Sequence, residues 1–93
     1  MIKEFMLSHQ AELDLYTQAI IKAHGQAHPE VNTVRDAYVK LVAKLANEQD
    51  DVTPEIETIR TVTKQYEIPA DACPTMTKTY QLLAELDRLA TTN

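Results

Sequence analysis

The chain has 93 residues, 44% of them hydrophobic and 25% charged, and a net charge of −5. Composition of this kind argues against disorder and fits a single domain with one modest core. The nine basic residues are spread along the chain, so nucleic acid and anionic membrane, which both need a clustered positive surface, are poor partners.

One glycine, Gly25, and no tryptophan disfavour an all-β fold with its many tight turns. In residues 2–24, Ile2, Met6, His9, Leu13, Tyr16, Ile20 and Ala23 recur at spacings of three and four, which predicts an amphipathic helix. Gly25 and Pro29 punctuate its end, and proline suits the first turn of the next helix, where its missing N–H would have no partner anyway. Residues 29–49 form that helix, with an apolar stripe of Val31, Val34, Tyr38, Leu41, Val42 and Leu45.

Thr53-Pro54-Glu55 reads as a third start: a hydroxyl cap, proline at the first position, then an acid near the positive helix end. The β-branched run Thr58, Ile59, Thr61, Val62, Thr63 makes a strand the alternative. The three-four spacing of Val52, Ile56, Ile59, Thr63 and Tyr66 decides for a helix over 54–67. Ile68-Pro69 ends it, because a residue before proline is pushed out of the α region. A last helix over 72–90, capped by Asp71, turns Met76, Tyr80, Leu83, Leu86 and Ala90 inward; Leu82 and Leu89 widen the stripe and leave room for a homodimer contact. The expected fold is therefore all-α, an up-and-down four-helix bundle formed by residues 1–93 as one domain.

The stretch from Glu48 to Glu57 holds five acids and no base and reads as a solvated connection with acids near a helix N-terminus. Cys73 stands alone, which suits a reducing compartment, and reads as a buried, inert thiol rather than a redox site. Charge interrupts the opening Met1–Leu7 segment too early for a secretory signal, and no apolar run is long enough to span a bilayer. The cytoplasm is the expected location.

Histidine carries what chemistry the pattern offers. His24 and His28 lie four apart, the spacing of metal pairs on a continuous helix, with Glu30 nearby as a carboxylate. His9 sits on the apolar face of the first helix, but fifteen residues from His24 is roughly 22 Å along a straight helix. Gly25 and Pro29 interrupt the helix where the pair would form, so caps or solvated side chains are the plainer reading. No phosphate-cradling glycine loop, zinc-type cysteine pair or glycine-flanked serine occurs, and no catalytic constellation stands out.

The stretch His24-Gly25-Gln26-Ala27-His28-Pro29-Glu30-Val31, followed by Val34-Arg35, resembles the haemerythrin-like proteins that repair iron centres. A second stretch is similar to the same family: Ile59-Arg60-Thr61-Val62-Thr63-Lys64-Gln65-Tyr66, then Pro69-Ala70-Asp71-Ala72-Cys73. The resemblance covers most of residues 15–90. It implies a four-helix bundle, non-haem iron as cofactor, and a role in restoring damaged iron–sulfur proteins under nitrosative or oxidative stress. It implies His24 as a ligand position and matches His9, at a different spacing, to the first-helix ligand; His28 and Glu30 join them as metal candidates from their spacing alone. Gln49 stands where the family carries a ligand histidine, and the His-x-x-x-Glu pairs of two later helices are missing. A di-iron centre needs about half a dozen protein donors, so the expectation is a mononuclear or dimer-shared iron, or a bundle that has lost it. The rival expectation is a metal-free helical interaction or dimerisation module.

Overall fold

A computed structural model describes residues 2–49 and 51–91. The longest element, α1, spans Ile2–His24 and sets the 35 Å length of the molecule. It buries Met6, Leu13, Thr17 and Ile20 along one face. Thr17 tolerates that position because its hydroxyl donates to the Leu13 carbonyl at 2.7 Å, leaving no buried donor unpaired. His9 and Tyr16 are only half-buried and Ala23 is exposed.

Gly25 continues the last turn, its N–H donating to the Ile21 carbonyl at 2.9 Å. A Cβ at this position would lie 2.5 Å from the same oxygen, too close without a backbone shift. Gly25→Ala is therefore expected to cost about 1 kcal/mol or more and to lower Tm by roughly 4–8 °C in a thermal melt followed by circular dichroism. An unchanged melt would show that the turn relaxes freely.

The second helix, α2, spans Glu30–Ala46, with Pro29 at its N-cap position. It stops three residues short of the expected 49. The Gln49 N–H reaches back to the Lys44 carbonyl, the Glu48 N–H reaches Leu45, and Glu48 takes φ 59°. This is a Schellman ending, built without the glycine that usually marks one.

The third helix, α3, spans Thr53–Val62 and is shorter than expected at its C-terminal end. Val52, not Thr53, holds the cap position, and the Asp51 carboxylate receives the Thr53 N–H at 3.1 Å. The helix ends five residues before the expected 67, again by a Schellman pair, Gln65 to Arg60 and Lys64 to Thr61. Lys64, Gln65 and Tyr66 all adopt positive φ, 53°, 60° and 64°. The β-branched run weakens the helix here; the Thr63 hydroxyl, which donates to the Ile59 carbonyl, also accepts the Tyr66 N–H at 3.0 Å. The proline at 69 plays no part in the stop.

The fourth helix, α4, spans Pro74–Thr91, starting two residues later than expected. Cys73 supplies its cap, the Sγ accepting the Met76 N–H at 3.4 Å, while the Asp71 carboxylate is used elsewhere. Thr91 is still helical; Thr92, Asn93 and Asp50 lie outside the described residues.

Each helix packs on its neighbour in sequence, and α1 closes the ring on α4. The architecture is the expected all-α, up-and-down four-helix bundle, and among the described residues the Thr-rich third segment is helix, not strand. Its main core joins Leu13, Tyr38, Leu41, Ile56, Ile59, Leu83 and Leu86; burying each such leucine or isoleucine contributes about 1.5–3 kcal/mol. A smaller cluster of Ile20, Val31, Met76 and Tyr80 fills the end near the α1–α2 corner. Leu82 is buried as well, so the widened stripe of α4 is largely used inside the bundle. No described helix is long and apolar enough to cross a membrane.

Two buried acids were not anticipated. Glu55, read as part of a solvated connection, is buried and pairs with the Lys44 ammonium at 2.9 Å. Asp87 is buried on α4 and receives the Arg60 guanidinium at 2.8 and 2.6 Å and the Tyr66 hydroxyl at 2.6 Å. That trio clips the end of α3 and its left-handed turn onto α4.

Candidate functional site at the α1–α2 corner

After His24 the chain makes one further turn before Pro29. The His28 N–H donates to the His24 carbonyl at 2.7 Å, so the turn keeps helical spacing although α1 has ended. Consequently Gly25 and Pro29 do not separate the two histidines: their ring centroids lie 6.3 Å apart, inclined at 59°. Pro29 then takes the N-cap position and sets Glu30 on the first turn of α2, beside the His28 ring.

Both nitrogens of His28 are engaged. Nδ1 lies 3.0 Å from Glu30 Oε2 and Nε2 lies 2.8 Å from Asp71 Oδ1. A carboxylate only accepts, so satisfying both contacts requires a proton on each nitrogen: the ring is an imidazolium between two anions. Accordingly the Asp71 hydrogen bond, helped by Glu30, holds the His28 pKa above 6.5 despite some desolvation. The same contact holds the Asp71 carboxyl below its ordinary value, helped by the charge of His28.

His24 is the counterpart. Its Nε2 is buried and has no hydrogen-bond partner. Behind the corner, the Tyr80 hydroxyl is buried and unpartnered too, and burial, then the charge of Glu30, pushes its pKa up to about 12. Tyr80 forms the floor of a cavity of about 350 Å³ walled by His28, Glu30, Thr63, Lys64 and Glu67. The cavity exists because α3 ends early and the left-handed turn, rather than helix, passes over this end of the bundle.

His9 takes no part. It lies on the same continuous α1 as His24, roughly 22 Å away by helical rise, where its ring lies tilted 4.7 Å from that of Phe5 and contacts Glu12 at 2.8 Å. Of the four expected metal residues, the fold brings His24, His28 and Glu30 together and leaves His9 apart. It adds Asp71, which had been read as a helix cap, and Tyr80, which had been read as core. Asp71 sits in the quoted Pro69–Cys73 stretch, but its approach to His28 across 43 positions is a tertiary fact. Nothing in the spacing announces the Tyr80 hydroxyl.

Two imidazoles and two carboxylates suit non-haem iron in kind, and an unpartnered, buried His24 nitrogen is what a ligand position leaves behind. The placement is less accommodating. Among the described residues, no group of three or more His, Cys, Asp or Glu side chains converges to hold an ion, and His28 has no nitrogen to spare while Glu30 and Asp71 clamp it. Comparison with known proteins adds no constraint: no protein-family model matches the chain, and neither a curated protein nor a solved structure does.

Proposed function

We propose that this chain is a short iron-centre repair protein of the haemerythrin-like type, acting in the cytoplasm on iron–sulfur proteins damaged by nitrosative or oxidative stress. It is a binding protein rather than a catalyst. One observation carries the reading: the two stretches behind the resemblance, far apart in sequence, meet at one corner of the bundle through His28 and Asp71 at 2.8 Å. His24 and His28, with Glu30, are the residues that would hold non-haem iron, and iron held there would supply the metal that a damaged cluster has lost. His28 must first release a carboxylate and a proton, which makes the binding weak and pH-dependent.

Metal analysis of untagged protein purified anaerobically should find iron above trace levels, falling on His24→Ala, with a matching loss of the ferric EPR signal after oxidation. Iron at trace levels in the unaltered protein overturns the reading. The rival, a metal-free interaction module, is favoured by the full engagement of His28, and it requires a melting temperature that a chelator leaves unchanged.

A further inference from the structure

Among the described residues, apolar side chains lie uncovered along the seam between α1 and α2. Leu7 is 87% exposed and Val39 is 45% exposed. Beside Leu7 lies a groove of about 280 Å³ that includes Lys3, Gln10 and Val42. It runs into a second hollow of about 140 Å³, which shares Gln10 and Val42 and reaches Asp14 and Arg35. Together they form a continuous track along the two helices, sharing no residue with the histidine corner.

The α1 side of the track is Lys3, Leu7, Gln10 and Asp14, with spacings of four, three and four. That spacing keeps the four side chains on one face of α1, where successive residues can meet a partner helix. The order is also self-complementary. Turned end for end, the stripe sets Lys3 against Asp14 and Leu7 against Gln10, which is what a two-fold interface requires of one surface. The charges agree with that pairing. Lys3 forms no ion pair among the described residues. Asp14 meets Arg35 at 2.9 Å yet remains 55% exposed, so its carboxylate has room for a second cation.

We infer that this seam is the docking surface for a second copy of the chain, paired antiparallel about a two-fold axis between Leu7 and Gln10. Leu7 of each copy fills the groove beside Gln10 and Val42 of the other, and Lys3 pairs with Asp14 at both ends. The sequence suggested a dimer through α4; the burial of Leu82 moves the free apolar surface to α1 and α2. The proposal does not depend on iron.

Sedimentation velocity from about 10 to 500 μM should show a reversible monomer–dimer equilibrium. Leu7→Asp should weaken association at least about tenfold with an unchanged thermal melt, since Leu7 contributes little to the core. K3E and D14K, each checked for an intact melt, should each be monomeric, because each sets like charges against one another. Mixed in equal amounts, they should form a heterodimer in which both end contacts are again opposite in sign. Wild-type protein that stays monomeric at the highest concentration overturns the proposal. So does a dimer that ignores Leu7→Asp, or a pair of charge variants that fail to associate when mixed.

Discussion

Asp87→Ala is expected to lower the unfolding free energy by about 2–4 kcal/mol at pH 7, a large share of the roughly 5–14 kcal/mol available to a chain of this size. The carboxylate is only 9% exposed and accepts three hydrogen bonds, two from Arg60 and one from the Tyr66 hydroxyl. Its loss also frees the left-handed turn at Lys64–Tyr66, which holds three consecutive residues in a region that L side chains avoid. Arg60→Leu should be worse at neutral pH. With alanine at 87, the Arg60 side chain, 37% exposed, turns to water; with leucine at 60, a buried carboxylate is stranded with only a phenol for support.

The pH dependence separates the two variants. In the unaltered protein Arg60, then Tyr66, hold the Asp87 carboxyl below its ordinary 3.8. A depressed carboxyl stabilises the fold above its unfolded pKa, and that contribution is lost as pH falls through the folded value. Both deficits should therefore narrow in acid. The Arg60→Leu deficit should narrow first, because burial without a cation raises the Asp87 pKa and protonation then relieves the stranded charge. Urea midpoints at pH 7 and pH 4 provide the measurement. An Arg60→Leu protein as stable as wild type at pH 7 would sink this account of the trio.

Why the bundle was readable from sequence and its details were not follows from the same residues. The stripes of α1, α2 and α4 repeat at three and four over long segments, and a long stripe tolerates local error. Helix ends depend on a few bonds. At Glu48 and at Lys64 the stop is a Schellman pair on a residue with no special propensity for positive φ, so only the folded chain reveals it. The proline at 69 drew attention to the wrong place, since the Thr63 hydroxyl had already redirected the backbone. Asp87 did leave a signal: it continues the line of Tyr80 and Leu83 at three-four spacing, and an acid on an apolar stripe implies a buried partner. Naming Arg60 and Tyr66 as that partner required the packing of α3 on α4.

The histidine corner divides the same way. His24, His28 and Glu30 are local, and their proximity follows from a turn that Gly25 prolongs rather than breaks. Asp71 arrives from the α3–α4 connection, and with it the corner changes character, from a pair of imidazoles to a clamped imidazolium. His9 shows the opposite limit. Its position on α1 is fixed by the length of one unbroken helix, and that length alone removes it from the site.

The clamp makes the corner a measurable titration. In iron-free protein, His28 has a folded pKa above 6.5 and Asp71 one below 3.8. A histidine with a raised folded pKa contributes stability that is complete below its unfolded pKa and lost as pH rises through the folded one; the depressed Asp71 contributes above its unfolded pKa. The tie is therefore strongest between about pH 4 and 6.5, and Tm should decline from pH 6.5 upward until the ring is neutral. His28→Gln should flatten that decline, since an amide has no proton to lose, while leaving the acid limb set by Asp87 in place. Nitrogen-detected NMR of the His28 ring should show both nitrogens protonated at pH 6. Under the proposed function iron would oppose that decline, because a metal takes the ring only after its proton leaves, so affinity would rise over the same interval in which the metal-free fold weakens. A Tm that is flat from pH 6 to 9 in the unaltered protein, with a neutral ring at pH 6, would mean the two carboxylates do not hold His28 as described. The pH-dependent iron binding proposed for this corner would then lose its basis.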